Sequence, residues 1–246
     1  MPNIKFKILI LFYFSAVGFL TAAEMEPIKE SLEIADSLFM EKKYTESFEI
    51  YSSIFDSGKK YSPSMLLKMA YIREGLGDFS MALYYLDYYY QKTADKSVLS
   101  KMHDLAASHR LSGYDYSDLE FLISVWQKYR TYILLGLSIL VLILTFLLFR
   151  AGRKSIYFTG LSFSIFLFLC LLIYLVNFRI ASGRGILIQS SNYIMKDPSS
   201  GAGLVEVTGK GHRVKVYGKE DAWYEIEWEG NVAWVKEGNL ILTRQI

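Results

Sequence analysis

Two long stretches without a charged residue constrain this chain more than anything else in it. Thr131 to Phe149 is 19 residues long and Ile156 to Phe178 is 23. At about 1.5 Å per residue, a 19-residue helix covers roughly 28 Å, close to the hydrocarbon thickness of a bilayer. Residues 150–155 between them leave room only for a tight connection. Arg150, Arg153 and Lys154 make that loop basic, which predicts a cytoplasmic location. Segments 131–149 and 156–178 are therefore expected to form a transmembrane helical hairpin. The polar residues inside it are Ser138, Thr145, Ser162, Ser164, Cys170 and Asn177, with Gly136 and Gly160. Hydroxyls that bond back to their own helix and small residues that permit close approach fit packing better than conduction.

The N-terminus agrees with this topology. Lys5 and Lys7 precede the apolar run Ile8 to Leu20, and Thr21-Ala22-Ala23 follows. Residues 1–23 read as a secretory signal peptide, with an uncleaved anchor as the alternative. Either form sends residues 24–117 out of the cytoplasm, and the hairpin returns the segment after it to the same side. Both flanking regions are thus expected on the same, exported side of the membrane.

Residues 24–117 are predicted to be helical. Ile34, Ala35, Leu38 and Phe39 form one apolar stripe; Tyr44, Phe48, Tyr51 and Phe55 form the next. A shift of 35 residues lays Ala35 on Ala70, Tyr44 on Phe79, Ser47 on Ala82 and Tyr51 on Leu86. On these residues, with Gly77-Asp78-Phe79 at the second turn, the segment resembles the tetratricopeptide repeat (TPR). A third helix over 96–110 can serve as a cap. The resemblance implies a concave protein-binding groove, and places Lys29, Asp36, Phe39, Ser64, Tyr71 and Glu74 in it. The run Tyr84 to Tyr90 spreads five tyrosines around a helix, some for a core and some for a partner surface. Residues 118–130 form an amphipathic juxtamembrane helix, and Gly113 with Tyr114 to Ser117 reads as a hinge before it.

After Gly185 the pattern becomes alternating. Val214 to Tyr217, Trp223 to Trp228 and Val232 to Val235 read as short strands punctuated by glycines. Residues 186–246 are expected to close into a small barrel. Met195-Lys196-Asp197-Pro198, Gly211, Trp223-Tyr224-Glu225-Ile226 and Gly230 with Val232-Ala233-Trp234-Val235 resemble the bacterial SH3 (SH3b) family. The resemblance implies peptide or cell-wall binding. Trp223 and Trp234 are assigned to the barrel core, while Tyr193, Tyr217, Tyr224 and Trp228 are left to line a ligand groove.

The expected fold is thus a multidomain membrane protein: an all-α TPR-like domain, a transmembrane hairpin and a small all-β SH3-like barrel. Charge supplies little steering. Residues 24–127 carry 17 acids and 11 bases, and the segment from Arg179 onward nine bases and eight acids. Neither concentrates a basic face, so nucleic acid is not an expected partner. One Cys and three His, with His103 and His109 six apart, offer no metal-ligand spacing. No cofactor, metal or catalytic residue set is expected, and the chain reads as non-enzymatic. The order of its parts resembles the BatE-type proteins of the aerotolerance operon. That resemblance implies a two-pass protein of a bacterial inner membrane with both domains in the periplasm, a scaffold in an envelope stress complex with von Willebrand A-domain membrane proteins. The alternative is a peptidoglycan-binding sensor acting through the C-terminal segment.

Overall fold

The computed structural model describes residues 28–58, 60–151, 158–177 and 183–244. The segment expected to be a signal peptide, 1–23, and the basic connection after Ala151 lie outside the described residues. The chain divides into two compact units at Asp78/Phe79.

The first unit holds α1 (28–40), α2 (Tyr44–Asp56) and α3 (Pro63–Gly75). Ser62 caps α3: its hydroxyl accepts from the Met65 N–H, and Pro63 supplies a first-turn φ already suited to a helix. The Ser47 hydroxyl donates to the Ala35 carbonyl at 2.8 Å in the buried space between α1 and α2. This accounts for a small polar residue where an alanine would otherwise be expected. Met65, Leu66, Met69 and Ala70 of α3 bury their side chains beside Tyr51 and Phe55 in the unit's core.

The second unit begins with α4 (Phe79–Thr93) and α5 (Ser97–Ser108), then α6 (Asp118–Ala151) and α7 (Phe158–Asn177). Seven strands follow: β1 (Gly183–Leu187), β2 (Asn192–Met195), β3 (Leu204–Thr208), β4 (Arg213–Glu220), β5 (Trp223–Trp228), β6 (Asn231–Lys236) and β7 (Leu240–Arg244). α2 and α4 begin 35 residues apart, at the interval of the sequence repeat. The helix α4 is buried on all sides, and all five tyrosines between Tyr84 and Tyr90 are core. Within its unit it packs against α5, α6, β1 and β7.

The expected fold class is corrected here. The strands form one open antiparallel sheet in the order β3-β2-β6-β5-β4-β1-β7, not a closed barrel. The helices α4 to α6 are not a separate all-α domain, because α4 lies against β1 and β7 and joins the sheet in one compact unit of mixed α/β composition. Physically, closure is one way to hide a sheet edge, and covering the edge with a helix is another. Here α4 packs against β1 and the edge strand β7, and β3 is the other edge strand. Register shifts at Arg184/Gly185, Ile194/Met195 and Val216/Gly218 let the sheet curve around its core without closing. That core is Leu187, Ile194, Val214, Val216, Tyr224, Ile226, Trp228, Ala233, Val235 and Leu240. Gly185 is required at the β1/β7 crossing, where an added Cβ would stand 2.7 Å from the Leu240 side chain.

The hairpin expectation is also narrowed. Among the described residues, one helix is long and apolar enough to cross a membrane: Asp118–Leu148, with a mean hydropathy of 2.6 in its most apolar window. The apolar stretch described in α7 is Ser162–Val176. The two helices pack on each other, and the Arg130 guanidinium donates to the Val176 carbonyl at 2.7 Å. Ser138, Thr145 and Ser164 bond back to the carbonyls of Leu134, Val141 and Gly160.

Candidate functional site

The most elaborate arrangement of charge in the molecule lies where α4, α6 and the sheet meet. Asp87 on α4 is fully buried. Its carboxylate accepts from Gln91 at 2.6 Å and from the Tyr116 hydroxyl at 3.2 Å. Two guanidiniums face it, Arg213 from β4 at 3.2 Å and Arg184 from β1 at 3.7 Å. Glu120, in the first turn of α6, completes the cluster at 3.2 Å from Arg184 and 3.6 Å from Arg213. Burial alone would push the Asp87 carboxyl up. The charges of Arg213 and Arg184 and the hydrogen bonds of Thr243 and Gln91 outweigh it and hold the group below its ordinary value. Burial likewise opposes charge on Arg213, but Tyr116, Asp87 and Glu120 keep its guanidinium protonated above the usual range.

The two arginines are not equivalent. Arg213 donates from Nε to the Gly113 carbonyl at 2.5 Å and from Nη2 to the Asp115 carbonyl at 3.4 Å, and lies over the Tyr116 ring at 4.2 Å. Arg184 is within ion-pair range of both carboxylates, yet its terminal nitrogens make no well-aligned hydrogen bond among the described residues. Of the two arginines, Arg213 is the one that hydrogen-bonds to the segment between α5 and α6.

That segment is not a hinge. The Arg213 N–H donates to the Ser112 carbonyl at 3.1 Å, and the buried Tyr114 hydroxyl donates to the Gly211 carbonyl at 2.7 Å. The Ser112 N–H donates to His212 Nδ1 at 3.2 Å, and burial lowers the basicity of that ring. Gly113 has a φ of +89°, and a Cβ there would stand 1.9 Å from the Arg213 carbonyl oxygen. The glycine that suggests freedom in the sequence is needed for close approach of two backbones. Sequence reasoning missed Asp87, Glu120, Arg184 and Arg213. A signal was present: Asp87 is the sole acid in α4 and interrupts the otherwise aromatic and apolar run Met81 to Tyr90, and a buried carboxylate calls for a compensating partner.

The residues expected in a helical groove fall into two groups. Asp36, Phe39 and Tyr71 come together. The rings of Phe39, Tyr44 and Tyr71 meet edge to face with centroids 5.4 to 5.8 Å apart. Lys68 stands over Phe39 at 5.5 Å and pairs with Asp36 at 2.7 Å, while Asp36 also accepts from the Tyr51 hydroxyl. Hydrogen bonding between Tyr44 and Tyr71 is the main cause that raises the Tyr44 hydroxyl. Tyr71 remains largely exposed on this cluster. Lys29 and Ser64 are exposed and Glu74 is half-buried.

On the sheet, the four residues expected to line one groove divide between two environments. Tyr224 and Trp228 belong to the core, and Trp228 Nε1 donates to Glu206 at 2.8 Å. Tyr193 and Tyr217 are exposed, the latter bonded to Glu227. Trp223 and Trp234, assigned to the core by sequence, are half-exposed instead. An open cleft of about 860 Å³ does exist; Tyr193, Met195, Leu204, Trp223, Lys236 and Asn239 line it together with Gln189 and three serines. It brings Tyr193 together with Trp223 and leaves the other three out. Among the described residues no group of three or more His, Cys, Asp and Glu could hold a metal ion.

In comparisons with known proteins, the chain matches no family model, no curated protein and no solved structure.

Proposed function

We propose that this chain is a non-enzymatic scaffold anchored in a bacterial inner membrane, holding partner proteins close to the exported face. The observation that carries this reading is the course of α6. Its first turn is bound into the charged cluster through Glu120, and the same helix continues to Leu148 with only 6% of its most apolar window buried. A helix this apolar and this uncovered is unsuited to water and suited to lipid. The return of α7 beside α6 supports a topology in which the folded parts before and after the hairpin share one side. The exposed ring cluster around Tyr71 is the surface best suited to a partner, since large, rigid, amphipathic rings dominate protein interfaces. The resemblance to BatE-type proteins extends the proposal to an envelope complex containing von Willebrand A-domain membrane proteins.

Affinity purification from detergent-solubilised membranes tests the role. The wild type should recover stoichiometric membrane or exported proteins, and Tyr71→Ala combined with Lys68→Ala should lose them. Unchanged recovery would reject the part assigned to the first unit. The cleft beside Tyr193 and Trp223 favours a second reading, in which sugar faces or peptides of peptidoglycan stack on the two rings. Full-length protein in detergent should then sediment with purified cell wall, and Tyr193→Ala should remain in solution.

A further inference from the structure

The juxtamembrane part of α6 has a mixed polar and aromatic face, which its own unit covers, and an apolar one. Ser124 is buried, Glu120 reaches the arginine cluster, and Lys96 stands over the Phe121 ring at 3.7 Å. The other face carries Leu119, Leu122, Trp126, Tyr129 and Ile133. Leu119 is 70% exposed and Leu122 59%; Tyr129 and Ile133 are also exposed and Trp126 is half-buried. Leu122, Val125, Trp126, Tyr129, Tyr132 and Ile133 line an apolar groove along this face. The spacing alternates three and four, and the same alternation continues through Gly136, Leu140, Ile143 and Leu147. A period of 3.5 sustained over four heptads is the seam of a coiled coil.

We infer that this seam pairs with the same seam of a second copy, making the protein a parallel homodimer along α6; the inference rests on the membrane reading above. Lipid cannot be the whole cover. With the hydrocarbon beginning near Thr131, Leu122 and Leu119 lie about 14 and 18 Å further along the axis. The polar layer of a leaflet is only about 5–8 Å deep. Rings at Trp126, Tyr129 and Tyr132 suit the interface, but the two leucines stand in water unless protein covers them. A second copy is the partner that fits without further adjustment. Two chains inserted with one topology meet in parallel, so Leu119, Leu122 and Tyr129 face their own counterparts at equal height. The flanking pairs of that register are Asp118 with Ile123, Val125 with Arg130 and Tyr132 with Leu137, so no like charges are opposed. Gly136 falls on the seam within lipid, where a missing side chain lets two backbones approach.

Cysteine cross-linking of the full-length protein in native membranes tests this. In a Cys170→Ser background, single substitutions are placed on the seam (Leu122→Cys, Tyr129→Cys) and off it (Lys128→Cys, Leu135→Cys), then oxidised. Seam positions should form disulfide-linked dimers several-fold more efficiently than the others. Equal yields at both sets, or no dimer at the seam, would overturn the inference. Leu122→Glu provides an independent readout: light scattering in detergent should report a dimer for the wild type and a monomer for the variant. A dimer that survives Leu122→Glu also overturns it. Alkaline carbonate extraction, run in parallel, distinguishes the two failures. Release from the membrane fraction refutes the anchor, whereas retention without seam-specific cross-links refutes the dimer alone.

Discussion

Replacing Asp87 by Asn isolates the charge at the centre of the second unit. The side chain keeps its size and its neighbour Gln91, but Arg184 and Arg213 lose the carboxylate that faces both at 3.7 and 3.2 Å. Glu120 remains, shared by two cations. Removing one member of a buried ion pair leaves uncompensated charge in a low dielectric and costs about 3–5 kcal/mol. For a unit of this size each kcal/mol lowers Tm by about 2–4 °C, so Asp87→Asn should lower it by about 6–20 °C. Thermal unfolding of the detergent-solubilised protein, followed by tryptophan fluorescence, measures this directly. The pH dependence gives a second check. The folded Asp87 carboxyl titrates below its ordinary value of 3.8, so its contribution is complete above that pH and is lost as pH falls through the depressed value. Asn does not titrate, and the gap between the two proteins should therefore narrow only below about pH 4. A Tm within about 2 °C of wild type at pH 7, less than about 1 kcal/mol, would refute the reasoning. The arginines should differ as well: Arg213→Met, which also frees the Gly113 and Asp115 carbonyls, should cost more than Arg184→Met.

Two further outcomes separate effects that the sequence alone confounds. Gly113→Ala and Gly230→Ala both place a side chain at positive φ, which costs about 1–2 kcal/mol. Only the first also drives a Cβ into a carbonyl oxygen at 1.9 Å, whereas the second meets nothing within 4 Å. Chemical denaturation should show Gly113→Ala as clearly the more damaging. Trp228→Phe, which vacates core space and leaves Glu206 without its donor, should cost about 1–3 kcal/mol in the same assay. Trp223→Phe, at a half-exposed position, should stay within about 0.5 kcal/mol.

Much of the local structure was legible in the residues. Alternation in Trp223 to Trp228 announced β5, the 35-residue shift announced the matched starts of α2 and α4, and the uncharged run announced the apolar part of α6. The phase of the strand was not legible. Trp223, Tyr224 and Trp228 are all large and aromatic, so alternation says that Tyr224 and Trp228 share a face but not which face is inside. Indole size favoured Trp223 for the core; the structure selects the parity of Tyr224, Ile226 and Trp228. The expected fold class failed for a related reason. Periodicity records how much of an element is buried, not against what, and the apolar circumference of α4 gave no sign that sheet strands β1 and β7 cover part of it. The charged cluster was half legible. Asp87 among five tyrosines demanded a cation, but Arg184 and Arg213 lie about a hundred residues away in ordinary strand contexts. Gly113 misled because the same residue type serves loose linkers and tight crossings.

The unbroken run of α6 from Asp118 has a mechanical consequence for a membrane-anchored scaffold. Residues 118–130 form a lever about 20 Å long, so a tilt of about 10° in the lipid-buried half would swing its outer end by about 3–4 Å. Glu120 sits at that end, within ion-pair range of Arg184 and Arg213, so the displacement bears directly on strands β1 and β4. Bilayer thickness or lateral crowding that reorients the span would thus be felt first at the charged cluster.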